Sequence, residues 1–345
     1  PVLAGFSSKK FFRSFRPEMS KALVAGVFGA YHHVLPYPLV SRAERFKAKA
    51  RGKLRIEYRE RNEGYKKLRE SLLAVGDIVD ISEDAKNPDT WIIEAVEKRR
   101  NAVHRASFGR QQCLAANIDG VVIMASVRSP EFNLGFVERC LAEVQISGVS
   151  VLLIVNKYDL ITQPDEETEK VLRWYESISI AVQRETLKDG LSPALRERFA
   201  SGTWLLLGQS GTGKSTLLNQ LFGQSLQAVG EISLINKGRH TTTNPALYCD
   251  PENSKLVLID VPGLREFGMH HRDAQEIRQA YPDFLRYQCR FENCLHLNEP
   301  GCAVKAAVEQ NEIPEFRYRY YVSMLDTVQE NFKPRKGDYW RGIRK

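Results

Sequence analysis

The sequence predicts a multidomain protein: an all-β N-terminal region, a central α/β region and a small, mostly helical C-terminal region. Three observations predict this order. Residues 22–112 carry short strand-like runs between turn-forming clusters, and residues 113–278 alternate apolar strands with helical patterns. Residues 279–345 contain a cysteine cluster, a helical aromatic-rich stretch and a basic tail, and residues 1–21 form a basic extension. At 345 residues, the chain is long enough for several domains.

Composition narrows the class of protein. With 43% hydrophobic and 27% charged residues, the chain is an ordinary globular one, and its net charge of +8 favours a polyanionic partner. No apolar run approaches the roughly 18 residues that cross a bilayer, so we expect no membrane partner. Six cysteines in a chain of this size do not indicate a disulfide framework. We therefore expect a cytoplasmic protein, and nothing in the sequence indicates more than a monomer.

The first domain, residues 22–112, fits a small barrel of the OB type, a fold that often binds nucleic acid. Within it, residues 46–58 alternate strictly between charged and uncharged residues, and all the charged ones except Glu57 are basic. Period-two geometry predicts one strand with a basic face, opposite a face formed by Phe46, Leu54, Ile56 and Tyr58. A solvated outer face is the alternative to RNA binding. The predicted RNA-binding residues are Lys47, Lys49, Arg51, Lys53 and Arg55.

The central region predicts a parallel sheet. Its four apolar runs read as buried strands, and each ends near a polar loop. Ligands of such sheets bind where the strands reach their carboxyl ends. The runs are IDGVVIMAS, VSVLLIVN, TWLLLG and KLVLID.

One of these loops carries a phosphate-binding motif. Gly208, Gly213, Lys214 and Ser215 satisfy G-x-x-x-x-G-K-[ST] between a predicted strand and a predicted helix. Glycines let backbone N–H groups face the phosphates, Lys214 neutralises them and assists catalysis, and the Ser215 hydroxyl ligates Mg²⁺. A glycine-rich structural turn is the alternative. The predicted contacts are Gly208, Gln209, Ser210, Gly211, Thr212, Gly213, Lys214, Ser215 and Thr216.

The sequence Asn156-Lys157-Tyr158-Asp159 follows another predicted strand and predicts a guanine reader. The Asp159 carboxylate can accept hydrogen bonds from guanine N1–H and the exocyclic amine, a donor pair that adenine lacks. Lys157 is expected to lie on the base plane and Asn156 to tie neighbouring loops together. This motif disfavours an ATP-dependent P-loop kinase. The region 177–183 is the candidate for a second base-contacting loop.

Two further loops read as switches. Asp260 ends a predicted strand and is expected to reach Mg²⁺, while the Gly263 N–H is expected to sense the γ-phosphate. The next residue, Leu264, cannot orient water as a glutamine would. Residues 237–243 form the candidate first switch, in which Thr242 is our candidate Mg²⁺ ligand among the threonines at 241–243. His240 is the candidate for positioning water, and a structural or partner-contact role is its alternative.

These parts appear along the chain in a rotated order. The base reader comes first, followed by the phosphate loop, the first switch and the second switch. A circular permutation of a GTPase domain explains this order, because a closed core tolerates new termini where the old ones lie close together. The second switch then leads directly into the C-terminal domain.

The C-terminal region contains Cys289-x4-Cys294-x-His296-x5-Cys302. Three thiolates and one imidazole suit a tetrahedral Zn²⁺ with no open coordination position. We therefore predict one structural zinc ion that supports folding rather than catalysis. Free buried cysteines beside a chance histidine are the alternative.

The chain resembles the circularly permuted, small-ribosomal-subunit-dependent GTPases of the RsgA/YjeQ family. Motifs across residues 25–330 carry the resemblance, among them VGDIVDI, KRRNAVHRAS, GQSGTGKSTLLN, GRHTTT and CRFENCLHLNEPGCAVKAAVE. The resemblance implies OB, permuted GTPase and zinc domains, with GTP/GDP, Mg²⁺ and zinc as cofactors. It also implies that the small ribosomal subunit and its rRNA are partners late in subunit maturation, and that the subunit stimulates hydrolysis.

The chain departs from the family pattern in two places. It has DVPG where DTPG is usual, and its basic extension lies outside the pattern. An apolar residue at 264 fits the family's habit of replacing the catalytic glutamine. An RNA-binding chaperone that uses GTP as a structural or switch ligand is the alternative function.

Overall fold

A closed five-stranded barrel, a six-stranded sheet with helices on both faces and a helical C-terminal region follow one another in the computed structural model. This order confirms the predicted fold class. Among the described residues, no helix is both long enough and apolar enough to cross a membrane. The structure describes residues 20–40, 44–54, 72–107, 110–163, 165–223, 245–249, 254–262, 264 and 267–329.

The barrel has the strand order β1-β2-β3-β5-β4 and closes through antiparallel pairing of β1 with β4. Strand β3 lies parallel to β5, whereas the other pairs are antiparallel. This arrangement is an OB-type barrel, as predicted. Its interior is filled by alternate residues of the strands, such as Ala22, Val24, Val34 and Ile93. The strands are β1 (Lys21–Phe28), β2 (Tyr31–Pro36), β3 (Phe46–Ala50), β4 (Ile78–Glu83) and β5 (Thr90–Val96).

The prediction that one strand runs through residues 46–58 is wrong. Strand β3 ends at Ala50, and residues 52–54 are helical. Gly52 lies at the break, where the lack of a side chain weakens a strand. The inward-facing residues of β3 are Ala48 and Ala50. Arg55, Ile56 and Tyr58 lie outside the described residues.

A hairpin links the barrel to the central sheet. Strands β6 (Ala102–Ser107) and β7 (Arg110–Ala116) pair with each other in a separate two-stranded sheet. Ala106 of this hairpin also forms a β-bridge with Gly268, which lies beyond the last strand of the central sheet.

The central sheet has the order β10-β9-β8-β11-β13-β12, and only β12 runs antiparallel to its neighbour. The four predicted strands are therefore confirmed as parallel. Residues alternate between two cores: Val121 and Ile123 face one, and Val122 and Met124 face the other. The strands are β8 (Gly120–Ser126), β9 (Ser150–Asn156), β10 (Ala181–Arg184), β11 (Gly202–Gly208), β12 (Ala246–Cys249) and β13 (Leu256–Asp260).

The helices cover this sheet and continue into the C-terminal region. Several begin with a side-chain cap, such as Asn133, Asp165 and Asp273, each of which accepts a main-chain N–H of the first turn. The helices among the described residues are α1 (Leu134–Ile146), α2 (Glu166–Ser177), α3 (Pro193–Arg198), α4 (Lys214–Phe222), α5 (Ala274–Gln279), α6 (Ala303–Glu309) and α7 (Glu315–Gln329).

The C-terminal helices dock on α1 through a buried polar network. Arg317 of α7 donates to Glu138 of α1 at 2.7 Å and to both carboxylate oxygens of Asp283 at 2.9 and 3.0 Å. The hydroxyls of Tyr175 and Tyr281 also donate to Glu138. Because every partner is buried, the network stabilises this docking only when it is complete.

Candidate nucleotide and metal sites

Most of the predicted nucleotide-binding residues meet at one edge of the central sheet, although Tyr158, Gly208, Gln209 and Thr212 do not line the cavity there. Strands β9, β11 and β13 end there at Asn156, Gly208 and Asp260. A cavity of about 560 Å³ opens at this edge, which is within the range for small-ligand sites. Its lining comprises Asn156, Lys157, Asp159, Leu160, Lys188, Ser210, Gly211, Gly213, Lys214, Ser215, Thr216, Asp260 and Pro262.

The phosphate loop joins β11 to α4 in the strand–loop–helix context that its motif requires. Gly213 precedes the helix with φ +108°, a conformation that glycine adopts readily. A Cβ atom at this position would lie 2.2 Å from the Asn156 side-chain nitrogen. The glycine therefore allows the loop to pack directly against the base-reading segment.

Lys214 and Asp260 place opposite charges inside the cavity. Lys214 is buried and its Nζ donates to the carbonyl oxygens of Gly208 at 2.7 Å and Gln209 at 3.0 Å. Burial lowers the pKa of Lys214, and the charge of Asp260 opposes that shift. Burial raises the pKa of Asp260 to about 6, although Lys214 acts against it. The Asp260 Oδ1 is buried without a hydrogen-bond partner among the described residues, as suits a group that binds a cation.

Asn156 connects the phosphate loop to the base end of the cavity. Its side-chain nitrogen donates to the Thr212 carbonyl oxygen at 3.0 Å, and its Oδ1 accepts the Leu187 N–H at 3.0 Å. The side chain is only 4% exposed. Its two hydrogen bonds therefore join the phosphate loop to the turn at Leu187.

Lys157 and Asp159 both line the cavity. Lys157 has a left-handed backbone (φ 67°), and its ammonium donates to the Ser129 carbonyl oxygen. Asp159 Oδ2 accepts a hydrogen bond from Lys188 Nζ at 2.6 Å. Tyr158 is directed elsewhere, because its hydroxyl donates to Glu169 at 2.7 Å.

Two features of the base end escaped sequence reasoning. Residues 177–183 run from the last residue of α2 through a short turn into β10. The loop beside the cavity instead follows β10 and contains the 3₁₀ turn Leu187–Asp189. The signal that could have found this loop is Gly190, which ends the turn after a short strand. The second feature is the segment Ser129–Pro130. Pro130 lies 3.3 Å from where a Gly211 Cβ would be, and the Ser129 carbonyl oxygen accepts from Lys157.

The switch residues are only partly described. His240, Thr242 and Gly263 lie outside the described residues, as do Thr241 and Thr243. Leu264 is described, and its side chain is fully buried in the main hydrophobic core. It is therefore not available to orient a water molecule in the cavity.

The four predicted metal ligands lie together in the C-terminal region. Their ligand atoms are all within 4.8 Å of one another. His296 Nδ1 is 3.5 Å from the sulfurs of both Cys289 and Cys302, which are 4.0 Å apart. Tetrahedral zinc with ordinary bond lengths requires a nitrogen–sulfur spacing of about 3.5 Å and a sulfur–sulfur spacing of about 3.8 Å. The donor set, which Cys294 completes, therefore fits zinc.

The surroundings favour the metal-binding forms of Cys289 and His296, whereas burial raises the pKa of Cys294 to about 12 and also raises the pKa of Cys302. Burial alone would raise the pKa of Cys289, but N–H groups of Val304 and Ala303 at the start of α6 outweigh it and lower the pKa. Burial also lowers the pKa of His296 to about 4, so its imidazole is neutral at physiological pH. Hydrogen bonds from Tyr318 and Tyr321 of α7 to carbonyl oxygens at 296 and 295 hold this loop in place.

The predicted basic stripe of the barrel is shorter than expected. Lys47 and Lys49 lie over the ring of Tyr31, with Nζ 5.9 and 4.9 Å from its centroid. Arg51 forms a bidentate ion pair with Glu94. Lys53 belongs to the helical residues 52–54 and not to β3.

Comparison with known proteins gives the family. The family model described as RsgA GTPase matches residues 96–270. The "Small ribosomal subunit biogenesis GTPase RsgA" of Haemophilus influenzae (strain PittEE) is 36% identical over 245 residues, covering 69% of this chain and 70% of that protein. The chain belongs to the RsgA GTPase family.

Other family relatives extend the match. The RsgA of Paraburkholderia xenovorans (strain LB400) is 37% identical over 269 residues, covering 75% of this chain and 84% of that protein. The crystal structure of YjeQ from Thermotoga maritima matches with a TM-score of 0.65 and 26% identity, covering 90% of this chain and 98% of that one.

A further solved structure supports the fold. YloQ, described as a circularly permuted GTPase, matches with a TM-score of 0.61 and 24% identity, covering 93% of this chain and 98% of that one. The RsgA GTPase assignment and the permuted order of motifs therefore agree with the strand order observed in the central sheet.

Proposed function

We propose that this chain binds the small ribosomal subunit late in its maturation and hydrolyses GTP to GDP and phosphate with stimulation by that subunit. The observation that carries the proposal is the convergence of the phosphate loop and Asp159 on one cavity of suitable size. The names of the relatives, small ribosomal subunit biogenesis GTPases, support the choice of partner.

The base end of the cavity would hold guanine. The Asp159 carboxylate would accept hydrogen bonds from N1–H and the 2-amino group, and the stem of Lys157 would lie along the base. Asn156 would hold this end of the cavity in a fixed position relative to the phosphate loop through its two hydrogen bonds to main-chain groups. An adenine base would leave the carboxylate unpaired, which disfavours ATP.

The other end would hold the phosphates. Backbone N–H groups of the phosphate loop and the ammonium of Lys214 would neutralise their charge. Ser215, Asp260 and Thr242 would hold Mg²⁺, and the buried, unpartnered Asp260 Oδ1 supports its part in this set. The ion, when bound, supplies positive charge against the phosphate oxygens.

Hydrolysis by the free protein is expected to be slow. Leu264 is buried in the core and has no polar group, so it cannot position the attacking water. His240 is the proposed residue for that task. A dependence on the subunit follows if docking of the subunit brings the water-positioning group into place.

The zinc site and the barrel would serve the RNA partner. Cys289, Cys294, His296 and Cys302 would hold one structural zinc ion, and their spacing supports this assignment. On the barrel, Lys47 and Lys49 flank an exposed tyrosine, a combination that suits phosphate and base contacts. We propose that this face contacts rRNA and that the protein acts as a monomer.

Steady-state phosphate release tests the proposal. Release from GTP, with ATP as the control, is measured with and without purified small ribosomal subunits. The proposal requires a slow, GTP-specific rate that rises strongly with subunits. A rate that subunits do not change would instead support an RNA-binding chaperone using GTP as a structural or switch ligand, an alternative that the buried Leu264 favours.

A further inference from the structure

Asp159, the proposed base reader, is paired with a lysine that lies outside its motif. Lys188 Nζ donates to Asp159 Oδ2 at 2.6 Å, and both residues line the nucleotide cavity. Lys188 is 29 positions away along the chain, in the 3₁₀ turn that follows β10. The cavity therefore presents an anion and a cation side by side where the base is expected.

The turn that carries Lys188 is fixed to the base-reading segment. Its Leu187 N–H donates to Asn156 Oδ1 at 3.0 Å, and the Tyr158 N–H donates to the Glu185 carbonyl oxygen at 3.2 Å. The Leu187 side chain is completely buried. The position of the Lys188 backbone beside Asp159 is thus set by the fold and not by the ion pair alone.

We propose that Lys188 is a specificity-determining residue whose ammonium donates a hydrogen bond to guanine O6 while Asp159 accepts from N1–H and the 2-amino group. This inference rests on the proposed function. Guanine O6 and the 2-amino group lie on either side of N1. We place the Lys188 ammonium on the O6 side of the Asp159 carboxylate, because guanine offers an acceptor on that side. An ammonium has three N–H donors, and the ion pair with Asp159 uses one of them.

The same pair would reject adenine at two atoms. Adenine has an amino donor at position 6, which would face the Lys188 ammonium, and an acceptor at N1, which would face the Asp159 carboxylate. A donor would then face a donor at position 6 and an acceptor would face an acceptor at N1, so these polar groups would be left unpaired. Lys188 thus adds a second point of discrimination to the one that Asp159 provides.

Three main-chain donors of this turn are already engaged. The N–H groups of Leu187, Asp189 and Gly190 already donate to Asn156 Oδ1 and to the carbonyl oxygens of Thr186 and Leu187. The hydrogen bond to Asp159 raises the pKa of Lys188, which keeps the ammonium charged at physiological pH.

The contribution of Lys188 is expected to be moderate because its side chain is 62% exposed. The test measures dissociation constants of the full chain by calorimetry for GDP, 6-thio-GDP and ADP. The 6-thio compound keeps N1–H and the 2-amino group but has a weak acceptor in place of O6. The variant Lys188→Met keeps an unbranched apolar side chain that is one atom shorter and removes the donor.

The matched control is Lys170→Met. Lys170 is 63% exposed and ion-paired with Glu166 at 3.1 Å on α2, outside the nucleotide cavity. We expect Lys188→Met to raise the dissociation constant for GDP about fivefold to tenfold and to change that for 6-thio-GDP by less than about twofold. The ratio of the ADP to the GDP dissociation constant should fall. Lys170→Met should change none of the three constants.

The possible contrary results have different meanings. Tighter GDP binding by Lys188→Met would show that the lysine competes with guanine for Asp159, and an unchanged constant would show that it does not contact the base. An equal loss for GDP and 6-thio-GDP would show that it only positions Asp159. Each overturns the inference. Wild-type protein that does not prefer GDP to ADP would overturn the proposed function, and the inference with it.

Discussion

Replacing Asn156 with alanine should uncouple the two ends of the nucleotide cavity. The side chain makes two hydrogen bonds of 3.0 Å, one to the Thr212 carbonyl oxygen and one from the Leu187 N–H. Because the side chain is almost fully buried, Asn156→Ala leaves both main-chain groups without this partner. Each such loss costs about 1–3 kcal/mol of folding stability.

Only part of this cost should appear in nucleotide binding. Each hydrogen bond is expected to contribute about 1 kcal/mol to holding the two loops in their binding geometry. Losing both should therefore weaken the binding free energy for GDP by about 2 kcal/mol, which raises the dissociation constant roughly 30-fold. Dissociation of a fluorescent GDP analogue, followed by stopped flow and titration, measures this change. The increase should appear mainly as faster dissociation.

Asn101→Ala is the matched control for this experiment. The Asn101 side chain also makes two main-chain hydrogen bonds, to the Ile118 carbonyl oxygen at 2.9 Å and from the Ile118 N–H at 3.0 Å. It does not line the nucleotide cavity. Both variants should lose stability, but only Asn156→Ala should lose affinity. Binding of GDP within threefold of wild type by Asn156→Ala would refute the coupling role.

Three further predictions concern the other parts of the molecule. Arg317→Met should lower the free energy of unfolding, measured by urea denaturation, by about 3–5 kcal/mol, because it leaves two buried carboxylates without their cation. The control Arg319→Met, at an exposed site on the same helix, should lower it by less than about 0.5 kcal/mol. Cys302→Ser should reduce zinc content by atomic emission from one ion per chain to near zero and lower the melting temperature; full zinc retention would contradict the ligand assignment. Replacing Lys47 and Lys49 together by alanine should reduce the salt dependence of RNA binding, measured as the slope of log K against log salt, by about 1.4–1.8; an unchanged slope would remove this face from the interface.

The parts of the site that could be predicted from sequence are those whose chemistry is local. Gly208 to Thr216 and Asn156 to Asp159 are short segments that match motifs whose residue types and spacing suit phosphate and guanine. The candidate zinc ligands are similar, since four potential donor atoms within 14 residues already restrict the geometry. The buried parallel strands were also predictable, because continuous apolar runs before polar loops are typical of them.

The parts that sequence reasoning missed depend on residues brought together by the fold. Lys188 is recognisable as a cavity residue only once β10 is placed beside β9. The ion pair between Glu138 and Arg317 joins positions 179 residues apart, and either residue alone reads as an ordinary surface charge. The predicted strand through residues 46–58 was wrong for another reason. The alternation of side chains continues past Gly52, but the extended backbone ends at Ala50.

Two segments that follow the candidate switches are attached to the N-terminal part of the chain. Strand β12 comes after residues 237–243, and its Leu247 carbonyl oxygen accepts a 2.6 Å hydrogen bond from Arg45, which precedes β3 of the barrel.

The segment after β13 forms the second attachment. Gly268 pairs with Ala106, and Arg272 forms an ion pair with buried Glu143 at 2.6 Å; Glu143 also accepts the His104 N–H at 2.9 Å. These contacts are partly main-chain and partly buried. Displacement of β12 must therefore move the barrel with it or lose its hydrogen bond, and displacement of the segment after β13 must move the β6–β7 hairpin and α1 with it or lose these contacts. The permuted order matters for the same reason: the chain runs from the second candidate switch into these contacts and then directly into α5 and the metal cluster.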